Sequence, residues 1–171
     1  MPLSSAMLAI AAFAEQNVSA ANLGTSRAPQ ALSRQMQLSN GTGAGKADRV
    51  YSARRTLAAS ANEDLDLAGV LLDAYGAAIT FARVKGLVIA AAAANTNNVV
   101  VGAAATNAWT TLLGATGTLT IRPGGFAAVG TGLADVTGYA VTASTGDLLR
   151  ITNGGAGSSV TYDIHIIGAS A

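Results

Sequence analysis

The chain has 171 residues, half of them hydrophobic but only 5% aromatic, with ten Lys and Arg against nine Asp and Glu and no cysteine. That length fits one domain with a real core, and the missing cysteine excludes a disulfide framework, a thiolate metal site and a thiol nucleophile. The longest uncharged apolar runs, "AMLAIAAFA" and "GLVIAAAAA", have nine residues each, about half of the 18 that a membrane span needs, so no transmembrane helix and no membrane partner are expected.

At the N-terminus, "SSAMLAIAAFAEQ" places Met7, Ile10 and Phe13 three apart with Ala11 and Ala14 beside them, and Ser4 or Ser5 can cap the start. This predicts a short amphipathic helix over residues 4–16, too short to persist in water unless its apolar face finds a partner. The small-x-small "AFA" before Glu15 has the form of a signal-peptide cleavage site, but no basic residue precedes the apolar run, so no secretion signal is expected. From "NVSAANLGTSRAPQALSRQ" onward no period survives, and Gly24 and Pro29 punctuate a stretch that reads as extended or partly disordered when free.

The next stretch, "SNGTGAGKAD" at 39–48, has the look of a phosphate-cradling loop. A P-loop requires G-x-x-x-x-G-K-[ST]. Counting back from Gly45 and Lys46, the first-glycine position holds Asn40, and the hydroxyl position holds Ala47. Both ends of the motif fail, and "KADRVYSARRTL" has no apolar stripe at helical spacing. The stretch reads instead as a flexible polar connector between an N-terminal arm (1–45) and a body (46–171).

Charge divides along nearly the same line. Residues 1–55 hold Arg27, Arg34, Lys46, Arg49, Arg54 and Arg55 against Glu15 and Asp48, whereas acids outnumber bases in the remainder. The cations are sparse and accompanied by one aromatic, Tyr51, so there is no dense patch or stacking platform for nucleic acid. An arm that lies on another protein's acidic surface is the expectation. Its contact residues would be Met7, Ile10 and Phe13 for the apolar part and Arg27, Arg34, Arg49, Arg54 and Arg55 for the ionic part.

Beyond residue 48 the period changes to two. "TLTIR" alternates Leu119 and Ile121 against Thr118, Thr120 and Arg122, and "YAVTAS" alternates Tyr139, Val141 and Ala143 against Ala140, Thr142 and Ser144. "LLRITN" and "SVTYDIHII" continue, the latter with Val160, Tyr162, Ile164 and Ile166 on one face and Thr161, Asp163 and His165 on the other. "RPGG", "STGD" and "NGGAGS" supply turns. "AAITFARVKGLVIAAAAAN" is too long for one ordinary strand and is divided near Lys85–Gly86, by a bulge or into two strands; helical alanine is the competing reading. With "RVYSARRTLAA", "EDLDL" and "NNVVVGAA" the body has about eight strands. The expected fold is mainly β: an antiparallel β-sandwich, jelly-roll-like, with an extended N-terminal arm containing a short helix.

Chemistry-bearing residues are few. His165 shares its strand face with Asp163, but neighbours two apart on a strand lie side by side, about 7 Å apart, and no nucleophile frame accompanies them. Glu63, Asp64 and Asp66 lack the spacing of a calcium loop. Trp109 is better read as a core anchor than as a ligand platform. No catalytic, metal or cofactor site is expected.

Three stretches, "RTLAASANEDLDLAGVLLDAYGAAITFARVKGLVIAAAAANTNNVVVG", "IRPGG" and "GYAVTASTGDLLRITNGGAGSSVTYDIHIIGASA", resemble small virion-associated proteins encoded among the structural genes of tailed bacteriophages and prophages. The resemblance covers residues 37–171, and "EDLDLAG", "ITFARVK" and "TGDLLRITN" are its most recognisable parts. It implies a β-sandwich decoration, or cement, protein of the capsid surface, made in the host bacterial cytoplasm and bound to the major capsid protein, with no catalytic residues. The Ala- and Val-rich composition adds neighbouring copies as partners, with a homotrimer expected. A tail or head–tail connector component and a carbohydrate-binding β-sandwich module are the alternatives.

Overall fold

The computed structural model describes residues 3–19 and 24–171. The predicted N-terminal helix is a strand. β1 (Ser5–Ser19) and β2 (Thr25–Asn40) form a long antiparallel hairpin, in register from Ser5 opposite Ser39 to Ser19 opposite Thr25 without a break. The spacing that suggested a helix carried a second period. Residues 6–14 are apolar at every position and so fit a period of two as well, with Ala6, Leu8, Ile10, Ala12 and Ala14 on one face and Leu38, Met36 and Leu32 among the residues opposite them. A lone helix of this length has only its own backbone bonds, whereas the strand gains a partner along its whole length. The helical face that would have joined Met7, Ile10 and Phe13 does not exist, because Ile10 points to the opposite side of the hairpin from the other two. The segment expected to be extended or disordered is β2 from residue 25 onward; residues 20–23 lie outside the described residues.

After the hairpin come β3 (Lys46–Ala47), β4 (Arg49–Leu57), β5 (Asn62–Asp66), β6 (Leu71–Leu72), β7 (Ala78–Ile79), β8 (Arg83–Ala91) and β9 (Val99–Gly102). A single helical turn, α1 (Thr110–Leu113), precedes β10 (Thr118–Ile121), β11 (Phe126–Gly130), β12 (Tyr139–Ala140), β13 (Leu148–Asn153) and β14 (Val160–Ala169). The body is built mainly of two antiparallel sheets. One has the order β11-β8-β14-β4, with β12 also on β8; the other has the order β10-β9-β13-β5. Both contribute to one hydrophobic core. Leu87, Ile89, Tyr162, Ile164 and Ile166 from the first sheet share it with Leu65, Val99, Val101, Leu149 and Ile151 from the second.

The alternation expected for the last strand holds: Val160, Tyr162, Ile164 and Ile166 are buried, while Asp163 is exposed and Thr161 and His165 are half-buried. Trp109 is the core anchor expected, with its indole N–H donating to the Ala140 carbonyl at 2.8 Å and its ring edge-on to Tyr139. The long apolar run is broken by a bulge, one of the two expected readings. Ile167 pairs with Gly86 but Gly168 pairs with Val84, leaving Lys85 as the extra residue of β8.

The base of the hairpin lies across the outer face of the β11-β8-β14-β4 sheet. Ala6, Met36, Leu38, Ala47 and Ile167 form a second, smaller apolar cluster, with Leu3, Leu8 and Val50 at its margin. The sheet is thin where the hairpin crosses it. A side chain built on Gly86 would meet Met36 and Leu8, and one on Gly130 would come within 3.0 Å of the Leu8 Cδ2 methyl.

Candidate assembly surface

Beyond that base the hairpin leaves the body. Residues 9–19 and 24–35 are all exposed, which at about 3.4 Å per residue makes a projection of ~35 Å. Even-numbered β1 residues and their partners make one face: Ala6 and Leu38, Leu8 and Met36, Ile10 and Arg34, Ala12 and Leu32, Ala14 and Gln30. The apolar strip buried on the body at Ala6, Met36 and Leu38 therefore continues outward, uncovered, through Ile10, Ala12, Leu32 and Ala14. The other face carries Met7, Ala9, Ala11 and Phe13 opposite Gln37, Gln35, Ser33 and Ala31. The three apolar residues expected to make contacts are exposed, Met7 at 59%, Ile10 at 46% and Phe13 at 71%, but they are divided between the two faces. A groove of about 350 Å³ separates Leu8, Ile10 and Met36 of the hairpin from Ala128, Gly130 and Leu133 of the body.

The five arginines are not brought together. Arg27 lies near the hairpin tip, 3.6 Å from Glu15 on the neighbouring strand, and Arg34 donates to its neighbour's carbonyl, Ser33 O, at 2.8 Å. The other three belong to β4, in the body, and each meets a carboxylate there. Arg49 bonds Asp48 at 3.1 Å; Arg54 makes a two-pronged contact with Asp163 of β14 at 2.7 and 2.8 Å; Arg55 donates from Nε to Glu63 of β5 at 2.6 Å. The hydrogen bond and charge of Asp163 raise the Arg54 pKa, and those of Glu63 raise that of Arg55 against partial burial. Glu63 also accepts from the Tyr162 hydroxyl at 2.7 Å, and burial, reinforced by this bond, pushes the Tyr162 phenol well up. The cationic charge that sequence assigned to the arm is thus largely committed within the body.

The acids are equally committed. Asp64 pairs with Arg150 in a two-pronged contact, and Asp66 accepts from the Ala68 N–H. Among the described residues no group of three or more His, Asp or Glu converges as a metal site. His165 sits half-buried on the outer sheet face between Ser52 and Val88, its pKa lowered by burial.

The glycine-rich stretch folds against the body. Ser39 N–H donates to Gly45 O, Gly41 N–H to Ala47 O, and β3 runs parallel to the end of β2. Gly41 and Gly45 both take positive φ, which glycine adopts without strain. Into this loop reaches Lys85, only 1% exposed, whose ammonium donates to the carbonyls of Gly43 at 2.5 Å and Lys46 at 2.7 Å. The bulge in β8 puts both Lys85 and Gly86 on the outer face, so one strand supplies the pin for the loop and the gap for the hairpin. Sequence reading missed this role. Its only trace was a lysine beside a glycine in an otherwise apolar strand. Among the described residues no helix is long and apolar enough to cross a membrane. Comparison with family models, curated proteins and solved structures finds no match to this chain.

Proposed function

We propose that this protein is a structural virion component, a decoration (cement) protein that binds the outer surface of a tailed-phage capsid and stabilises capsomer junctions. On this reading the two-sheet body is a jelly-roll-like β-sandwich, and the hairpin is the arm that reaches a neighbouring subunit. The observation that carries it is the ~35 Å projection, along which β1 carries the apolar strip of the buried base outward from Ala6 to Ala14. An isolated two-stranded hairpin is marginally stable in water, so a hairpin this long and this apolar suits a bound state. Contacts that are weak singly become strong when symmetry repeats them over a lattice. The resemblance of residues 37–171 to virion-associated proteins supports the same reading.

The test is co-sedimentation with undecorated heads. Replacing residues 11–33 with an Asn-Gly turn keeps the Ile10–Arg34 pair and the packed base while removing the projection. The shortened protein should keep a folded body and bind heads at least tenfold more weakly. Equal binding by both forms overturns the arm mechanism. Binding by neither favours a tail or head–tail connector component.

A further inference from the structure

Resting on the reading of the hairpin as an assembly arm, we propose that the outer edge of β1 pairs with β1 of a second copy of this chain, antiparallel, about a twofold axis near Ala11. The two edges of the hairpin are unlike. β2 carries Arg27, Pro29 and Arg34 along its projecting part, whereas β1 from Ser5 to Ala14 has no charge, no proline and no glycine, and its register is free of bulges. An open sheet edge presents unpaired N–H and C=O groups, and proteins guard such edges with charges, prolines, bulges or covering elements. β2 has its guards. β1 has none before Glu15, and among the described residues it pairs with β2 alone.

Pro29 also identifies which backbone groups of β1 are free. It has no N–H, yet it sits opposite Glu15 in an unbroken ladder, which requires a non-hydrogen-bonded pair at that point. Hydrogen-bonded and non-hydrogen-bonded pairs alternate along an antiparallel ladder. The N–H and C=O groups of Met7, Ala9, Ala11 and Phe13 therefore point away from β2, toward the open edge.

A second β1 is the strand that fits this edge. With Ala11 opposite its own copy, the large residues Leu8, Ile10 and Phe13 fall opposite Ala14, Ala12 and Ala9, and Glu15 falls opposite Met7, so no like charges meet. The paired hairpins become a four-stranded sheet whose two central strands are apolar from Leu8 to Ala14 on one face, past the size at which a hairpin is only marginal. Ala6 of one copy and Ala6 of the other lie about ten residues apart along the strand, ~34 Å, which leaves room for both bodies. The assembly closes. Its outermost strands are two copies of β2, whose arginines and proline oppose further pairing. A threefold assembly would need an additional contact elsewhere on the body.

The test uses the full chain in solution, by sedimentation equilibrium at micromolar concentration. The wild type should be a dimer. Ala11→Pro, which removes an outward N–H, and Ala11→Lys, which adds a charge at the axis without touching the backbone, should each raise the dissociation constant at least tenfold with the body's melting unchanged. In this cysteine-free chain Ala11→Cys should cross-link to itself on oxidation and Val18→Cys should not. A monomeric wild type, a dimer indifferent to Ala11→Lys, or equal cross-linking at both positions overturns the proposal. Head co-sedimentation separates the two readings. A monomer that still binds heads sinks the pairing and leaves the decoration role, and a dimer that ignores heads does the reverse.

Discussion

The Lys85 ammonium lies 2.5 Å from the Gly43 carbonyl oxygen, buried and joined to the loop that ends the hairpin. Two carbonyls, those of Gly43 and Lys46, accept from it. Lys85→Met keeps the stem and removes the donor; Gly43 O retains the Lys46 N–H at 3.3 Å, and the lost ammonium bonds cost about 1–3 kcal/mol. The variant should melt earlier, and its Ser39 and Gly41 amides should exchange faster with solvent. Burial, with Arg83 nearby, lowers the Lys85 pKa. The unfolded chain therefore holds this proton to higher pH than the folded one, so stability gains a rising slope as pH climbs from the folded pKa toward the ordinary lysine value of about 10.4. That slope should vanish in Lys85→Met. An identical slope in both proteins rules out Lys85 as its source.

Gly86 and Gly168 stand on neighbouring strands and should respond differently to alanine. At Gly86 the new methyl would stand 3.3 Å from the flexible Met36 Cε, so Gly86→Ala presses only on the hairpin base. The body should melt nearly as before while the amides of β1 and β2 lose protection. At Gly168 the methyl would be 2.3 Å from the Arg83 carbonyl oxygen and 2.6 Å from the Phe81 ring, so Gly168→Ala must move backbone and should destabilise the body by several kcal/mol. Matching losses in the two variants would mean that the hairpin and body unfold as one unit.

Ile164 and His165 are adjacent, and their fates should diverge. Ile164 is 2% exposed within the shared core, where an unpaired aspartate costs several kcal/mol, comparable to a domain's whole margin; Ile164→Asp should not fold. His165→Ala should change stability by less than ~1 kcal/mol at neutral pH. Since burial lowers the His165 pKa below its ordinary value of about 6.5, the folded state disfavours the imidazolium. Stability from this group is present above pH ~6.5 and is lost as pH falls through the folded pKa; His165→Ala should flatten that acid limb. Thermal melts from pH 4 to 8 provide the check.

What the sequence determined by itself was the body's β character and the facing of its clearest strands. In "SVTYDIHII" the alternation of large apolar with polar residues admits only one burial pattern, because a shift by one residue would put Asp163 and His165 in the core. An interruption at Lys85–Gly86 was likewise legible, as a polar residue and a glycine in an apolar run, but only the pairing of β8 with β14 decided for a bulge over two strands. The N-terminal segment was not. Alanine satisfies a period of three and a period of two equally well, so "AMLAIAAFA" carries a helix and a strand at once. Only pairing with residues 25–40, which no local pattern reveals, chose between them. The arginines show the same limit. Their clustering in the first third of the chain suggested a basic arm, but Asp163 lies 109 positions beyond Arg54, and only the folding of β14 against β4 brings them together. Composition fixes how many charges there are; the sheet order, set by long-range backbone pairing, decides which of them remain free to meet a partner.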